Sequence, residues 1–212
     1  MEKFKTIKQN SIAEIIEKKS KFIANTFYAE TIEDAEKILK NIRKKYYDAR
    51  HNCYAYRIIE NNNIIDKCSD DGEPSGTAGS PMLNILQKNK LCNILVVVTR
   101  YFGGILLGTG GLVRCYSDAT IKSIENNEII NIENGFEWQI EIEYKDLDMA
   151  KYYFMKNNIN IIDIKYLENI ILVIEITEKD KEKIFNNNVE LKFNIIKNKI
   201  LSQKYIQKGI NN

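Results

Sequence analysis

Apolar residues recur along this chain with two periods, the alternation of a strand and the three-to-four-residue spacing of a helix. Two strands are predicted around the polar KKSK turn, one near Ile12 and the other over 21–29. Thr31 and Asp34 have the spacing of a capping box, so the helical pattern that follows begins there and continues to Tyr46. The chain is therefore expected to open with an antiparallel hairpin and a helix.

A second hairpin and a short helix are predicted next. Strand residues over 53–59 are separated from those beginning at Ile64 by three asparagines, which favour a turn. Ser80 and Pro81 mark a helix start, because proline at the first helical position loses no hydrogen bond and serine can cap the helix. This helix is expected to run through Gln87.

The segment 93–99 contains the run ILVVV, which is apolar at every position. Such a run is typical of a strand covered on both faces, so it predicts the centre of a sheet. Helical spacing returns from Gly110 or Gly111, and the first domain is predicted to end near Asn134.

The remainder of the chain has the order βαββαβ. A strand is predicted from Gly135 to Tyr144, a helix over 146–157, and two strands paired at a Glu168–Asn169 turn, followed by a helix and a last strand. This order is that of a ferredoxin-like sandwich, with both helices on one face of an antiparallel sheet. The fold class is therefore α+β.

Composition fits two compact domains, predicted over 1–134 and 135–212. The 212 residues are 44% hydrophobic and 28% charged, enough for two modest cores, and the net charge of +2 excludes a strongly basic nucleic-acid domain by charge alone. Four separated cysteines and a single histidine predict reduced thiols and no zinc site. Without an apolar leader or spanning segment, we expect a cytoplasmic protein with no membrane contact, no metal and no cofactor.

Eight of the ten glycines lie within 70–116. The segment GGILLGTGG stands between a buried strand and a helix, a geometry that presents backbone N–H groups and the helix dipole to an anion such as a phosphate. It matches neither a P-loop nor a spaced GxGxxG. The alternative is structural: the glycines permit close packing and special turns, with residues 105–107 partly buried.

The acidic loop DDGEPSGT invites two interpretations. Three carboxylates and two hydroxyls within eight positions suit a cation or an acid–base pair, although the spacing matches no calcium loop. The same residue types form tight turns, which favours a rigid recognition loop. His51, the only histidine, is the one candidate for histidine-dependent catalysis, and it equally suits a hydrogen bond to neighbouring backbone.

Arginines and aromatic residues alternate near these segments, and one surface carrying them would contact phosphates and stack bases of single-stranded RNA. Because alternate residues of a strand point to opposite faces, some of the aromatics are expected in the core. The residues of this hypothesis are Arg50, Arg57, Arg100, Arg114, Tyr54, Tyr56, Tyr101, Phe102 and Tyr116.

Four segments resemble the YigZ/IMPACT family: KSKFIA at 19–24, ARHNCYAYRI at 49–58, DDGEPSGTAGSP at 70–81 and VVVTRYFGGILLGTGGLVRCY at 96–116. The resemblance implies a first domain like the second domain of ribosomal small-subunit protein five and a second like the last domain of elongation factor G. Eukaryotic IMPACT proteins regulate translation initiation by competing for a kinase activator. We expect no counterpart of their additional partner-binding domain, so only the translation setting is carried over.

The leading hypothesis is a non-enzymatic, translation-associated factor that binds RNA, the ribosome or a translation protein. Replacing Arg100 is expected to weaken binding without unfolding the domain. The alternative is a small hydrolase that uses Asp70, Asp71 and Glu73 with His51. The candidate binding residues are Arg50, His51, Asp70, Asp71, Glu73, Ser75, Thr77, Arg100, Tyr101, Gly103, Gly104, Gly108, Gly110 and Gly111.

Overall fold

A computed structural model describes residues 3–61, 63–185 and 191–208. Two compact units are separated between Ile130 and Asn131. The elements up to Glu125 are β1 (Lys3–Ile7), β2 (Ser11–Glu17), β3 (Ser20–Tyr28), α1 (Ile32–Lys45), β4 (His51–Glu60), β5 (Asn63–Ser69), α2 (Gly79–Lys88), β6 (Ile94–Tyr101) and α3 (Gly108–Glu125).

An antiparallel five-stranded sheet of order β2-β3-β6-β4-β5 organises the first unit. Helices α2 and α3 cover one face, where Val96 and Val98 of β6 pack with Met82 and Tyr116. Helix α1 covers the other face, where Val97 contributes to a separate core. The apolar run therefore forms the central strand, covered on both faces, as the sequence predicts.

The capping box of α1 is confirmed. The Asp34 backbone N–H donates to Thr31 Oγ1 at 3.1 Å, and the Thr31 N–H donates back to Asp34 Oδ2 at 3.2 Å. These reciprocal bonds satisfy two of the donors that a helix N-terminus leaves without partners.

The second unit has the predicted βαββαβ order: β7 (Ile129–Ile142), α4 (Leu147–Lys156), β8 (Asn160–Tyr166), β9 (Ile170–Thr177), α5 (Glu178–Phe185) and β10 (Lys197–Lys208). Its strands form an antiparallel sheet of order β10-β7-β9-β8. Phe154 of α4 and Ile184 of α5 share one core with Trp138 and Ile174, so both helices lie on the same face. The α+β fold class is thus confirmed.

Four local features differ from the sequence prediction. Strand β1 was not predicted, and β7 begins at Ile129 rather than after Gly135. Ser80 does not cap α2, which begins at Gly79 and has no side-chain cap from its N-cap residue. Helix α3 begins at Gly108, two residues before the earlier of its two predicted starts, Gly110 and Gly111.

The four thiols are free, with Cys53, Cys92 and Cys115 buried and Cys68 half-buried. This matches the expectation of reduced, mostly buried cysteines. Among the described residues, no helix has the length and apolar character needed to cross a membrane.

Candidate functional site

The Asp70 carboxylate caps α2 from outside the helix. Its Oδ1 accepts the backbone N–H groups of Ala78 and Gly79, both at 2.9 Å, and its Oδ2 accepts the Gly76 N–H at 2.8 Å. Burial alone would raise the pKa of Asp70, but the three N–H donors outweigh burial and lower the pKa below its ordinary value of 3.8. Asp70 therefore supplies the anion that this helix N-terminus favours.

Asp71 anchors the start of β4. Its Oδ2 accepts the Asn52 N–H at 2.7 Å, and its Oδ1 accepts from Arg43 at 2.9 Å. Its carbonyl oxygen lies 2.9 Å from His51 Nδ1. Because a carbonyl oxygen can only accept, the Nδ1–H of the His51 side chain donates to the Asp71 backbone, which is the structural alternative considered for His51.

Glu73 is a buried carboxylate that joins two elements. Its Oε1 accepts Arg100 Nη1 of β6 at 2.6 Å and the Tyr116 hydroxyl of α3 at 2.8 Å. The Glu73 and Arg100 side chains are only 3% and 7% exposed. Each residue of this buried pair depends on the other, because removing one would leave the second as an uncompensated buried charge.

Arg100 lies between two aromatic rings. Its guanidinium carbon is 5.4 Å from the ring centre of Phe22 and 5.5 Å from that of Phe102. In β-sheet register it stands opposite Phe22 on one side and His51 on the other. The expectation that Arg100 can be replaced without unfolding does not fit this environment.

Gly103 brings the glycine-rich loop against the β2–β3 turn. A Cβ at Gly103 would overlap the backbone of Lys19 and Ser20, and the Gly103 N–H donates to Ser20 Oγ at 3.1 Å. Lys18 and Lys19 both have exposed side chains and form the turn with positive φ values of 45° and 65°. This close approach requires glycine and places two lysines beside the loop.

Helix α3 begins without the anion that α2 has. Its first turn, Gly108–Gly111, contains no acidic residue, and its N-cap residue Leu107 makes no side-chain cap. A Cβ at Gly104, Gly108 or Gly110 would enter open space. The backbone N–H groups of this turn are thus accessible to an external partner. We call Lys18, Lys19 and residues 102–111 the glycine rim.

The remaining predicted residues divide between surface and interior. Arg50 and Ser75 are exposed, whereas Thr77 is buried and donates to the Pro74 carbonyl at 2.6 Å. The Tyr101 hydroxyl donates to Asp48 at 2.8 Å. Residues 105–107 were expected to be partly buried, but Leu106 is 83% exposed, so the loop presents an apolar tip.

The residues of the arginine–aromatic hypothesis do not share one surface, and the expectation that some of its aromatic residues lie in the core is confirmed. Tyr54 and Tyr56 belong to the core on the α1 face, whereas Tyr116 lies in the core on the α3 face. Arg57 is held by Asp66 at 2.8 Å. The alternation along β4 predicts that Tyr54 and Tyr56 lie on the opposite face of the sheet from Cys53 and Ala55, and the structure confirms this.

The structure gathers His51, Asp71, Glu73 and Arg100 into one network and Gly103, Gly104, Gly108, Gly110 and Gly111 into the rim. Sequence reasoning missed Lys18 and Lys19 as rim residues and Tyr116 as a partner of Glu73. The KKSK turn indicates that Lys18 and Lys19 belong to the rim only once its contact with the glycine-rich loop is known. Tyr116 gave no local signal, because it is 43 residues from Glu73.

The groups proposed for catalysis, Asp70, Asp71, Glu73 and His51, all have structural partners. Cys53 was not among them, but it lies beside the acidic loop, where its thiol donates to the Asp70 carbonyl oxygen at 2.9 Å. Burial, more than any neighbouring group, raises the pKa of the Cys53 thiol to about 12, so at neutral pH it is not the thiolate that nucleophilic attack requires. Over residues 3–61, 63–185 and 191–208, no three His, Cys, Asp or Glu side chains are arranged to hold a metal ion.

Comparisons with known proteins agree with this architecture. The family profile described as Impact N-terminal domain matches residues 18–124. The IMPACT family member YvyE of Bacillus subtilis (strain 168) is 36% identical over 175 residues, which cover 82% of this chain and 80% of that protein. The IMPACT family member YigZ of Escherichia coli (strain K12) is 37% identical over 131 residues, covering 61% and 64%.

A solved structure with similarity over the whole chain is described as the crystal structure of an hypothetical protein. It covers 92% of this chain and 97% of its own, with 28% sequence identity and a TM-score of 0.61. The similarity extends to both units and supports the two-domain layout.

Breaking the buried Glu73–Arg100 pair is predicted to destabilise the first unit strongly. Arg100→Met or Glu73→Gln alone leaves one buried charge and should lower the free energy of unfolding by about 3–5 kcal/mol. The double variant buries no charge, so its loss should be smaller than the sum of the two single losses. Urea unfolding of the four proteins measures this coupling; additive losses would contradict it.

Asp70 is predicted to make stability depend on acid pH. Because its pKa is lower in the folded than in the unfolded state, its contribution is full above the unfolded pKa and is lost as pH falls through the folded value. Between about pH 5 and pH 2, wild type should therefore lose more stability than Asp70→Asn. Urea unfolding at several pH values measures this, and parallel profiles for the two proteins would count against it.

Proposed function

This chain belongs to the IMPACT family, and on that premise we propose that it is a non-enzymatic cytoplasmic factor of translation or its regulation. In this proposal the first unit binds RNA, the ribosome or a translation protein, and the glycine rim is the contact surface. The translation setting comes from the family resemblance, whereas the position of the surface comes from the geometry of the first unit.

The observation that carries the proposal is the packing of Gly103 against Lys19. This contact places two exposed lysines against the start of the loop that leads, five residues later, to a helix N-terminus with neither an acidic residue nor a side-chain cap. Positive side chains and accessible N–H groups on one rim favour a partner rich in phosphate, such as RNA. Exposed Arg50 precedes β4, whose first residue pairs with Arg100 near the end of β6, so it adds a third cation at this end of the sheet.

The buried network supports the rim from beneath. Phe102, the first rim residue of the loop, is half exposed and covers the Arg100 guanidinium. Arg100, Glu73 and Tyr116 connect β6 to α3 across the loop between them. The loop ends are thus fixed before a partner arrives, which limits the entropy lost on binding.

The hydrolase alternative receives no comparable support. The carboxylates of Asp70, Asp71 and Glu73 are all engaged, by the α2 N-terminus, by Arg43 and Asn52, and by Arg100 and Tyr116 respectively. In this arrangement, the acidic loop acts as a rigid support for the rim.

Gly110→Asp is predicted to separate binding from stability. The position has open space around a Cβ and an ordinary φ. A carboxylate in the first turn of a helix is also stabilised by the helix dipole. The variant should be as stable as wild type or more stable by about 0.5 kcal/mol, while a fixed negative charge repels the phosphate partner. Association should fall roughly tenfold or more through lost charge-assisted hydrogen bonds.

Gly110→Asn is the matched control, because it adds the same volume without charge. Tagged wild type and both variants are recovered from gently lysed cells, with and without nuclease, and the co-purifying RNA and proteins are quantified. We expect wild type and Gly110→Asn to retain partners that Gly110→Asp loses. Equal recovery of partners with all three proteins would contradict the rim as the contact surface. If none of the three recovers a translation-related partner, the proposed function itself is contradicted.

A further inference from the structure

An open cleft of about 610 Å³ lies on the α1 face of the first sheet, away from the glycine rim. Helix α1 forms one wall and strands β4 and β5 form the floor and the other wall. Its volume is within the range of sites that bind organic ligands. The lining residues with polar or aromatic side chains include Lys40, Arg43, Lys44, Tyr47, Tyr54 and Lys67.

The floor of the cleft is aromatic. Tyr54 and Tyr56 stack with ring centres 6.2 Å apart and an interplanar angle of 20°. Arg43 lies 5.9 Å from the centre of the Tyr54 ring, and Lys67 lies 5.9 Å from that of Tyr56. These cations rest over fixed rings, so the floor combines flat apolar surface with positive charge.

Tyr47 stands at the end of the helical wall and is 86% exposed. An exposed tyrosine at the mouth of an aromatic cleft leaves a π face free for stacking. Tyr54 and Tyr56 are 8% and 2% exposed, so they shape the floor, whereas Tyr47 is the ring that a ligand can stack on.

Two of the four cations lack acidic partners. Arg43 pairs with Asp71 at 2.9 Å and Lys67 with Glu36 at 3.2 Å. In the described part of the chain, no carboxylate pairs with Lys40 or Lys44. These two lysines are four residues apart on α1, which separates them by about 6 Å along one helix face. That spacing is comparable with the separation of successive phosphates in a nucleic-acid strand.

We propose that this cleft binds single-stranded RNA, with a base stacked on Tyr47 and successive phosphates at Lys40 and Lys44. Unpaired cations beside exposed aromatic surface are the combination that proteins use for single strands, because stacking tolerates any base and the cations follow the backbone. An acidic peptide would satisfy the lysines but would leave the flat ring of Tyr47 without a matching partner.

The inference goes beyond the proposed function, because it concerns residues on the other face of the sheet. It shares only the premise that the protein meets RNA. If the cleft has no affinity for RNA, the proposal for the glycine rim still stands, and if the rim binds no partner, the proposal for the cleft still stands. The two can therefore fail separately.

The test is fluorescence anisotropy of a labelled ten-nucleotide uridine RNA titrated with the full chain at several salt concentrations. Tyr47→Ala is expected to weaken binding roughly fivefold or more, by loss of one stacked base. Lys40→Ala/Lys44→Ala should weaken binding and reduce the slope of log affinity against log salt by about 1.4, the effect of two phosphate contacts to a single strand.

Matched controls lie on the same molecule. Lys37→Ala/Lys45→Ala removes the same charge from α1 at exposed positions outside the cleft lining, and Tyr152→Ala removes an exposed tyrosine from the second unit. Binding by these two controls should stay within about twofold of wild type, below the loss expected for one stacked base. Gly110→Asp, measured in the same assay, reports separately on the glycine rim and is not a control for the cleft.

Three results would overturn the proposal. Wild type fails to bind the RNA at low salt; the cleft variants bind no worse than their matched controls; or a ten-residue glutamate peptide displaces the RNA as effectively as unlabelled RNA does. The last result would assign the cleft to an acidic protein partner. Circular dichroism of each variant excludes unfolding as the cause of any loss.

Discussion

A single oxygen of Glu73 fixes the geometry of the first unit. It accepts hydrogen bonds from Arg100 of β6 and Tyr116 of α3 while lying in the loop that leads to α2. Three segments that are distant in sequence are thus held by one buried anion, and each loses its partner if the carboxylate is removed. Because the contact is buried, water does not replace a side chain that is removed, and the loss of any one partner lowers the stability strongly.

This constraint explains why the acidic loop and the glycine-rich loop occur together. Asp70 supplies the negative charge at the N-terminus of α2, and Glu73 holds the strand and helix on either side of the glycine-rich loop. Helix α3 itself begins without an acidic residue or a side-chain cap. The two helix N-termini therefore differ: that of α2 donates to a carboxylate of the same chain, whereas that of α3 has no acidic residue in its first turn and no side-chain cap.

Much of the fold follows from local patterns in the sequence. The periods of two and of three to four identify the hairpins, α1 with its capping box, the central strand β6 and the βαββαβ order of the second unit. Strand β1 was missed because its five residues, KFKTI, give too short an alternation to predict an element. Ser80 was the stronger local signal for a cap, yet the cap comes from Asp70, eight and nine residues before the N–H groups it accepts from Ala78 and Gly79.

The site was less predictable, since its contacts are long-range. Composition singled out the acidic loop and the glycine-rich loop. Glu73 and Arg100 are 27 residues apart and Gly103 and Ser20 are 83 apart, however, so sequence spacing carries no information on either contact. The cleft was also not predicted, because the sequence around Lys40 and Lys44 shows only an amphipathic helix and does not show which part of the sheet lies beside it. Their role depends on which part of the sheet α1 leaves uncovered.

The most direct measurement is ultraviolet crosslinking of the full chain to RNA in living cells, followed by mapping of the crosslinked peptides. The account predicts crosslinks in the first unit, at Phe102 of the glycine rim and at Tyr47 of the cleft, the two exposed aromatic residues of these surfaces. Crosslinks confined to the second unit, or none in cells where the protein is abundant, would contradict it.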